Sequence, residues 1–259
     1  EAARVNIRRF IVVTLMMLGL SACAQTERDP YHYAGAPVAA SNRFEKITLL
    51  KNRGYAVGYD ETRRNPAWVA YRLHRVRNRP DTSRRDRYNT DMRTSAKVSN
   101  NDYSNSGYSR GHMAPSFAMA VCYGKKAQNQ AYLMSNMTPQ KVPFNGGPWQ
   151  ELEHQELNNY AFNFGEIWVV TGPVYDQKIE KIPGGPEIPD AFFKIILDEK
   201  DNAIRAIAYL MPHEALSKEL KYYLTSIDRI EQLTGLDFLP NLPDHVENRL
   251  EAMIAAEPW

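Results

Sequence analysis

Five short runs of β-branched and aromatic residues limit the fold of this 259-residue chain more than any other feature of its sequence. Each run has the length of a β-strand and is too short for a buried helix. Two other segments, residues 148–162 and 216–234, repeat apolar residues at the three- and four-residue spacing of a helix. The mixture predicts an α+β fold, with a central, largely antiparallel sheet and helices packed on its faces. The five strand-like runs are residues 55–59, 68–73, 167–171, 192–197 and 203–210.

The beginning of the chain has the three parts of a bacterial export signal. Three arginines precede an uncharged apolar run at residues 10–20, which is too short to span a membrane, and small residues follow it. The ending Leu-Ser-Ala-Cys resembles the lipobox of bacterial lipoproteins, in which the peptide is cut before the cysteine and the cysteine is lipidated. We therefore predict a signal peptide over residues 1–22 and lipidation of Cys23, with secretion without a lipid as the alternative.

Such an anchor would hold the mature protein at a membrane outside the cytoplasm. Ala24 stands where inner-membrane lipoproteins commonly carry Asp, which favours the outer membrane and a periplasmic or cell-surface location. Residues 23–40 contain prolines and small residues without periodicity and are predicted to form a tether. No internal repeat or Pro/Gly-rich break divides the rest, so residues 41–259 are predicted to be one domain. Lipidation of Cys23 leaves Cys122 alone, which excludes a disulfide within the mature chain.

Net charge does not indicate a partner, but the charge is unevenly distributed. Lys and Arg total 32 against 30 Asp and Glu, and the formal charge of +2 is too small to argue for nucleic acid. Residues 72–93, however, contain eight arginines, three aspartates and no lysine. Arginine binds phosphate oxygens with a fork of N–H donors, so this basic segment suits a phosphate-rich substrate. A solvated loop that faces anionic lipid explains the same composition equally well.

The sequence Gly-Tyr-Ser-Arg-Gly-His at residues 107–112 has two incompatible interpretations. In the first, Ser109 is the nucleophile of a Gly-x-Ser-x-Gly elbow, as in serine hydrolases. That elbow needs a buried strand before the serine and a helix directly after it. Polar, turn-forming residues precede Ser109 and Pro115 follows it closely, so this interpretation is disfavoured.

In the second interpretation, Arg110 and His112 act together. They are two positions apart, so in an extended segment both side chains project from one face. Histidine titrates near neutrality and can take a proton from water, while arginine stays charged and matches phosphate oxygens. The pair suits phosphodiester hydrolysis, although a short Arg-Gly-His sequence is by itself more typical of an exposed loop.

Ordered motifs around this pair favour the second interpretation. Residues 133–140 read Leu-Met-Ser-Asn-Met-Thr-Pro-Gln, and residues 145–153 read Asn-Gly-Gly-Pro-Trp-Gln-Glu-Leu-Glu. Together with Ser-Arg-Gly-His at residues 109–112, and with residues 65–71 and 169–175, they resemble the DNA/RNA non-specific endonuclease family. The resemblance implies a ββα-metal nuclease fold, in which a hairpin-like strand presents a histidine and the following helix presents a metal ligand. It also implies hydrolysis of DNA and RNA with Mg²⁺, or with Mn²⁺ as an alternative ion.

The resemblance assigns roles to individual residues. His112 matches the family's general base, and Arg110 matches its phosphate-binding arginine. Asn145 matches the asparagine that is the one direct protein ligand of Mg²⁺, and Glu153 matches the glutamate that holds water around the metal. Eight residues are slightly more than two helical turns, so these two side chains can share one face of a helix. Asn136 matches a further motif asparagine, which is expected either to support the site or to hold a turn.

Two regions depart from the family's pattern or match it ambiguously. The usual Asp-Arg-Gly-His is Ser-Arg-Gly-His here, so Ser109 replaces a carboxylate that is neither the base nor the metal ligand, and catalysis is still expected. A second phosphate-binding arginine belongs near residues 84–87, where Arg84 fits best and Arg85 and Arg87 compete with it. The remaining histidines are expected to be surface or packing residues, at positions 32, 74, 154, 213 and 245.

The sequence therefore predicts an exported, membrane-anchored, Mg²⁺-dependent endonuclease. It would contact DNA and RNA through their phosphate backbones and so have little sequence preference. Two alternatives remain, a nucleic-acid-binding lipoprotein without turnover and a serine hydrolase that uses Ser109. The sequence leaves the formation of a homodimer open.

Overall fold

The computed structural model describes residues 29–40, 44, 46–80, 82–83, 87–176, 178–200 and 203–259. Its main element is a seven-stranded sheet with strand order β10–β9–β8–β7–β4–β3–β2, and two small sheets pair β1 with β11 and β5 with β6. The strands are β1 (Val38–Ala39), β2 (Ile47–Lys51), β3 (Tyr55–Asp60), β4 (Asn65–His74), β5 (Tyr108–His112), β6 (Met137–Lys141), β7 (Glu166–Val174), β8 (Ala191–Lys200), β9 (Ala203–Pro212), β10 (Leu224–Thr225) and β11 (Leu236–Asp237).

The five strand-like runs of the sequence are all strands of the central sheet. They lie within β3, β4, β7, β8 and β9, and every pairing in this sheet is antiparallel. The predicted α+β class, with a central antiparallel sheet, is confirmed.

Helices cover both faces of this sheet. Four separate helices are α1 (Ser116–Tyr123), α2 (Lys125–Ala131), α3 (Ile227–Thr234) and α4 (Asp244–Glu251). A fifth helical run, residues 142–164, is called the site helix below. It contains the predicted helix at residues 148–162, and its turns widen at Asn145–Trp149 and again at Glu156–Tyr160.

Alternate residues of the central strands face two separate cores, as the two-residue period of a strand requires. Along β4, Val69 and Tyr71 face one core, while Trp68 and Ala70 face the other. The first core contains residues of α1, α2 and the site helix, and the second contains residues of α3 and β11. Described residues between β4 and β7 contribute to the first core and not to the second, so they pack on one face of the sheet.

The helix predicted at residues 216–234 is wrong in its first half. Only α3 is helical there, and it begins after Ser226, whose hydroxyl oxygen accepts a hydrogen bond from the amide of Arg229 at 3.2 Å. The preceding residues form a short 3₁₀ turn, Leu220–Tyr223, and then β10, which pairs with β9. Leu220 and Tyr223 are buried three positions apart, so a single turn gave the sequence its helical spacing.

The expected tether is only partly described, and the described part packs on the domain. In this part, Val38 pairs with Asp237 in the β1–β11 sheet, and the buried His32 ring lies 5.5 Å from the ring of Trp68. The domain therefore begins before residue 41. The predicted signal peptide and Cys23 lie outside the described residues. None of the described helices is long and apolar enough to cross a membrane.

Candidate active site

The strand β5 presents Arg110 and His112. It pairs with β6, where Arg110 lies opposite Pro139 and His112 lies opposite Met137. The ring of Tyr88 is 5.5 Å from the guanidinium carbon of Arg110 and 6.1 Å from the imidazole of His112. One aromatic ring near both side chains agrees with the expected extended segment, in which the two residues share a face.

Gly111, between these two residues, is required by close packing. It is buried, and a Cβ atom at this position would lie 2.0 Å from the side-chain oxygen of Gln140 on β6. No side chain fits at that distance. The small residue thus leaves room for the buried side chain of Gln140 next to β5.

The guanidinium of Arg110 is held on three sides. Its central carbon is 5.5 Å from the ring centres of both Tyr88 and Tyr103, and one of its terminal nitrogens donates to the carbonyl of Asn100 at 2.7 Å. Stacked rings and a carbonyl fix the orientation of a planar cation. Arg110 itself does not line the cleft described next.

His112, Asn145 and Glu153 line one cleft of about 290 Å³. His112 comes from the end of β5, while Asn145 and Glu153 come from the site helix. Between the two helix residues, Gly147 has a non-helical backbone (φ −111°, ψ −113°) that kinks the helix. The structure thus brings together the predicted base, the predicted metal ligand and the predicted glutamate.

Glu153 is a carboxylate with an unusual environment. Its Oε1 atom is buried and accepts no hydrogen bond from any described residue. Burial raises the pKa of Glu153 to about 7, and the nearby Glu156 adds to the rise while Lys194 opposes it. An unsatisfied carboxylate oxygen in the same cleft as an amide oxygen is a donor set that suits a hard cation such as Mg²⁺.

A buried ion pair lies beneath this part of the site helix. Lys194 of β8 and Glu156 are both fully buried and contact each other directly. The hydroxyl of Tyr71 donates to Glu156 at 2.7 Å, and the Lys194 ammonium lies 4.6 Å from the ring centre of Trp149. The charged pair fixes the helix on the sheet, because either group alone would be an uncompensated charge in the core. Neither residue belongs to a motif that the sequence reveals.

Two further side chains, Trp149 and His213, hold parts of the site in place. The indole nitrogen of Trp149 donates to the main-chain oxygen of His112 at 3.3 Å. The ring of His213 accepts from the amide of Lys141 through Nε2 at 2.7 Å, and its Nδ1 lies 2.7 Å from the carbonyl of Pro189. Since an amide can only donate, Nε2 carries no hydrogen and Nδ1–H donates to Pro189. His213 is thus a packing residue, as expected, but one that attaches β6 to the main sheet.

Asn136 supports the site rather than lining it. Its amide nitrogen donates to the carbonyls of Ala114 and Ala131, and its amide oxygen accepts from the amide of Ala114 at 2.9 Å. The side chain is fully buried. It therefore fixes the chain directly after His112, which is the turn-holding alternative of the sequence analysis.

Several arginines of the basic segment contact other residues of the protein. Arg72 pairs with Glu166, Arg75 donates to two carbonyls of the site helix, and Arg93 pairs with Asp91. These three arginines thus have partners within the protein, whereas the sequence alone left open a phosphate-rich substrate or a solvated loop that faces anionic lipid. Arg84 and Arg85 lie outside the described residues, and Arg87 is exposed.

The geometry around Ser109 does not form a nucleophile elbow. Ser109 lies inside β5 opposite Gln140, with three more strand residues after it, instead of at a strand-to-helix turn. The helix α1 begins only at Ser116. The elbow that would expose a serine nucleophile is therefore absent from this described part of the chain.

In the ββα-metal nuclease fold, a pair of strands is followed by a helix. Here the first strand of the pair, β5, ends at His112, and Asn145 lies near the start of the site helix. The chain belongs to the DNA/RNA non-specific endonuclease family, whose model matches residues 38–245. The expected family and fold are both confirmed.

Several characterised proteins are similar to this chain. It is 30% identical over 207 residues to the mitochondrial nuclease EXOG of Danio rerio, and this match covers 73% of this chain and 60% of that protein. It is 26% identical over 258 residues to a nuclease of Serratia marcescens, covering 94% and 93% of the two chains. It is 29% identical over 214 residues to human mitochondrial endonuclease G, covering 76% and 71%. The chain thus spans less than two thirds of the Danio rerio protein.

A solved structure shares the fold. The EndoG chain of a crystal structure of the EndoG/EndoGI complex has a TM-score of 0.69 and 25% identity, and the match covers 77% of this chain and 88% of that one. The central sheet and the ββα unit are therefore parts of a shared architecture.

Proposed function

We propose that this protein is a metal-dependent endonuclease that hydrolyses phosphodiester bonds of DNA and RNA. The observation that carries the proposal is the cleft shared by His112, Asn145 and Glu153, in a chain of a nuclease family. The three side chains come from a strand end, from the start of a helix and from its interior. Their meeting in one cleft depends on the complete ββα unit.

His112 is the general base in this proposal. Its ring lines the cleft and is packed edge to face against Tyr132, with the ring centres 5.0 Å apart. A neutral imidazole can take a proton from water while the water oxygen attacks phosphorus. The hydrogen bond from Trp149 to the main chain of His112 keeps the base in place.

Asn145 and Glu153 supply the donors for a divalent cation. The amide oxygen of Asn145 would bind the ion directly, and the half-buried carboxylate of Glu153 would orient water around it. When bound, Mg²⁺ or Mn²⁺ supplies positive charge to the phosphate and to the leaving oxygen.

Arginines would bind the phosphates of the substrate. Arg110 carries a permanent charge and is held beside His112 by Tyr88. A second phosphate contact would come from Arg84 or Arg85, which the family resemblance favours and which lie outside the described residues. Because phosphates carry no sequence information, an enzyme that binds its substrate through such contacts would cleave with little sequence preference.

Cleavage of supercoiled plasmid and of a mixed-sequence RNA by the purified protein tests the proposal. With Mg²⁺ we expect nicked and then linear plasmid, together with RNA fragments, and EDTA should stop both reactions. Binding without cleavage in both Mg²⁺ and Mn²⁺ would favour the nucleic-acid-binding alternative. Hydrolysis of a carboxylic ester that disappears in Ser109→Ala would instead favour the serine hydrolase.

We also propose that the protein is exported and anchored through a lipid on Cys23, in the outer membrane. The support is the sequence of residues 1–24, whose last part resembles a lipobox. Stable anchoring needs more than one acyl chain, and a diacyl-modified cysteine supplies them. In cells that express Cys23→Ser, the protein should move to the soluble fraction or remain unprocessed. A processed protein that stays in the membrane fraction would reject the lipid anchor.

A further inference from the structure

A second group of carboxylates lies on the face of the sheet opposite the cleft. It is formed where α3, β11 and α4 meet, and α3 and β11 belong to the core that contains Trp168 and not to the core beneath the site helix. The group has no role in the proposed reaction. Its five members are Asp228, Glu231, Asp237, Glu247 and Glu251.

Glu251 is the centre of this acidic group. Its carboxylate takes part in two sets of three, one with Asp228 and Glu231 and one with Asp237 and Glu247, and the ligand atoms within each set lie within 4.8 Å of one another. Glu251 is only 5% exposed. Its Oε1 atom is buried and has no hydrogen-bond partner among the described residues. A buried side chain that has a carboxylate oxygen without a donor is thus shared by both sets of carboxylates.

None of the described basic side chains forms an ion pair with a member of the acidic group. The amide of Phe238 donates a hydrogen bond to Glu231 at 2.8 Å. Burial, and then the charges of Glu231 and Glu247, raise the pKa of Glu251 to about 8. Burying a carboxylate among other carboxylates is unfavourable unless a cation or a proton compensates.

We infer that Glu251 and the carboxylates of α3, β11 and α4 form a second cation site, which takes one hard divalent cation such as Ca²⁺. Calcium accepts six to eight oxygens from mono- and bidentate carboxylates in flexible geometry, which suits side chains drawn from three separate elements. The ion would link the C-terminal helix α4 to α3 and so act on stability. The site is separate from the cleft and takes no part in phosphodiester hydrolysis.

Thermal unfolding of the full chain in the Asn145→Ala/Glu153→Gln background tests this site, because that background removes the donors of the cleft. After treatment with EDTA, Ca²⁺ should raise the Tm by about 5–10 °C at a hundredfold excess over the dissociation constant. The further change Glu251→Gln should abolish the increase. Glu219→Gln is the matched control, since Glu219 is an exposed carboxylate paired with Lys221, and it should leave the Ca²⁺ effect unchanged.

Calorimetric titration with Ca²⁺ gives a second measurement if Glu251→Gln does not fold. One ion should bind per chain in the Asn145→Ala/Glu153→Gln background, and Glu247→Gln, at a half-buried position, should weaken binding at least tenfold. The inference is overturned if Ca²⁺ neither binds nor raises the Tm in that background. It is equally overturned if Glu247→Gln and Glu251→Gln respond to Ca²⁺ as their parent does.

Discussion

The indole nitrogen of Trp149 lies 3.3 Å from the main-chain oxygen of His112 and donates a hydrogen bond to it. This bond joins the strand that carries the proposed base to the helix that carries Asn145 and Glu153. Trp149 is fully buried and packs against Phe144 and Phe192, so its position is set by the core. The relative placement of base and metal donors therefore depends on a side chain that does not line the cleft.

Trp149→Phe should lower kcat clearly and lower the Tm only slightly. The phenyl ring keeps most of the packing but cannot donate to His112, so we expect about a tenfold loss of kcat and a KM within about twofold. A lost hydrogen bond of this kind costs about 1 kcal/mol, or a few degrees in Tm. Trp168→Phe, on the other face of the sheet, is the control and should lower Tm without lowering kcat. Equal kcat in Trp149→Phe and wild type would show that the bond does not position the base.

His112→Ala should remove most of the turnover while nucleic-acid binding remains. General bases contribute about 10²- to 10⁴-fold to the rate. Plasmid cleavage gives the rate, and binding to a labelled duplex in EDTA gives the affinity. Ser109→Ala should keep at least half of the activity, because Ser109 lies three positions before His112 and on the opposite face of β5. Full activity in His112→Ala would reject the mechanism.

Asn145→Ala and Glu153→Gln should differ in their response to Mg²⁺. Asn145 supplies the direct protein ligand in the proposal, whereas Glu153 acts through water and its glutamine replacement keeps one oxygen acceptor. At limiting Mg²⁺, Asn145→Ala should therefore lose more activity, and high Mg²⁺ should restore more of the activity of Glu153→Gln. The measurement is initial plasmid cleavage across a Mg²⁺ titration. Wild-type activity of Asn145→Ala at every concentration would mean that another residue binds the metal.

Mild acid should destabilise the protein through His213. Burial lowers the pKa of His213 below its ordinary value of 6.5, and its Nε2 must stay unprotonated to accept from Lys141. As the pH falls below about 6.5, the unfolded chain binds the proton first, so the free energy of unfolding decreases by up to about 1.4 kcal/mol per pH unit from this group. Urea unfolding between pH 7.5 and 5.5 measures the slope. His213→Gln should have a shallower slope, and an unchanged slope would assign the effect to other groups.

The sequence predicted the parts of the fold that rest on local patterns. The long strands carry β-branched and aromatic residues along their whole length, and His112, Asn145 and Glu153 occur in short motifs with fixed spacing. Residues of this kind can be recognised without knowing which segments meet in space.

Contacts between distant segments could not be predicted in the same way. The ion pair of Lys194 and Glu156 joins residues from β8 and the site helix, and each looks like an ordinary surface charge in the sequence. His213 meets Lys141 across more than seventy positions. Leu220 and Tyr223 had helical spacing, but Ser226 starts the helix later because its side chain caps α3. Contacts between distant segments decided the first two cases, and a local cap decided the third.

The place of residues 75–165 between the paired strands β4 and β7 has a kinetic consequence. These strands are direct neighbours, so their pairing closes a loop that contains every cleft residue described above. Closing so long a loop is entropically unfavourable until native contacts form, which makes such pairings slow. Residues of the loop, such as Met113 and Trp149, pack in the same core as Tyr71 of β4, so we expect the cleft to fold together with the sheet. A newly made chain would therefore become active as a nuclease only late in folding. Partly folded chains would not cleave nearby nucleic acids.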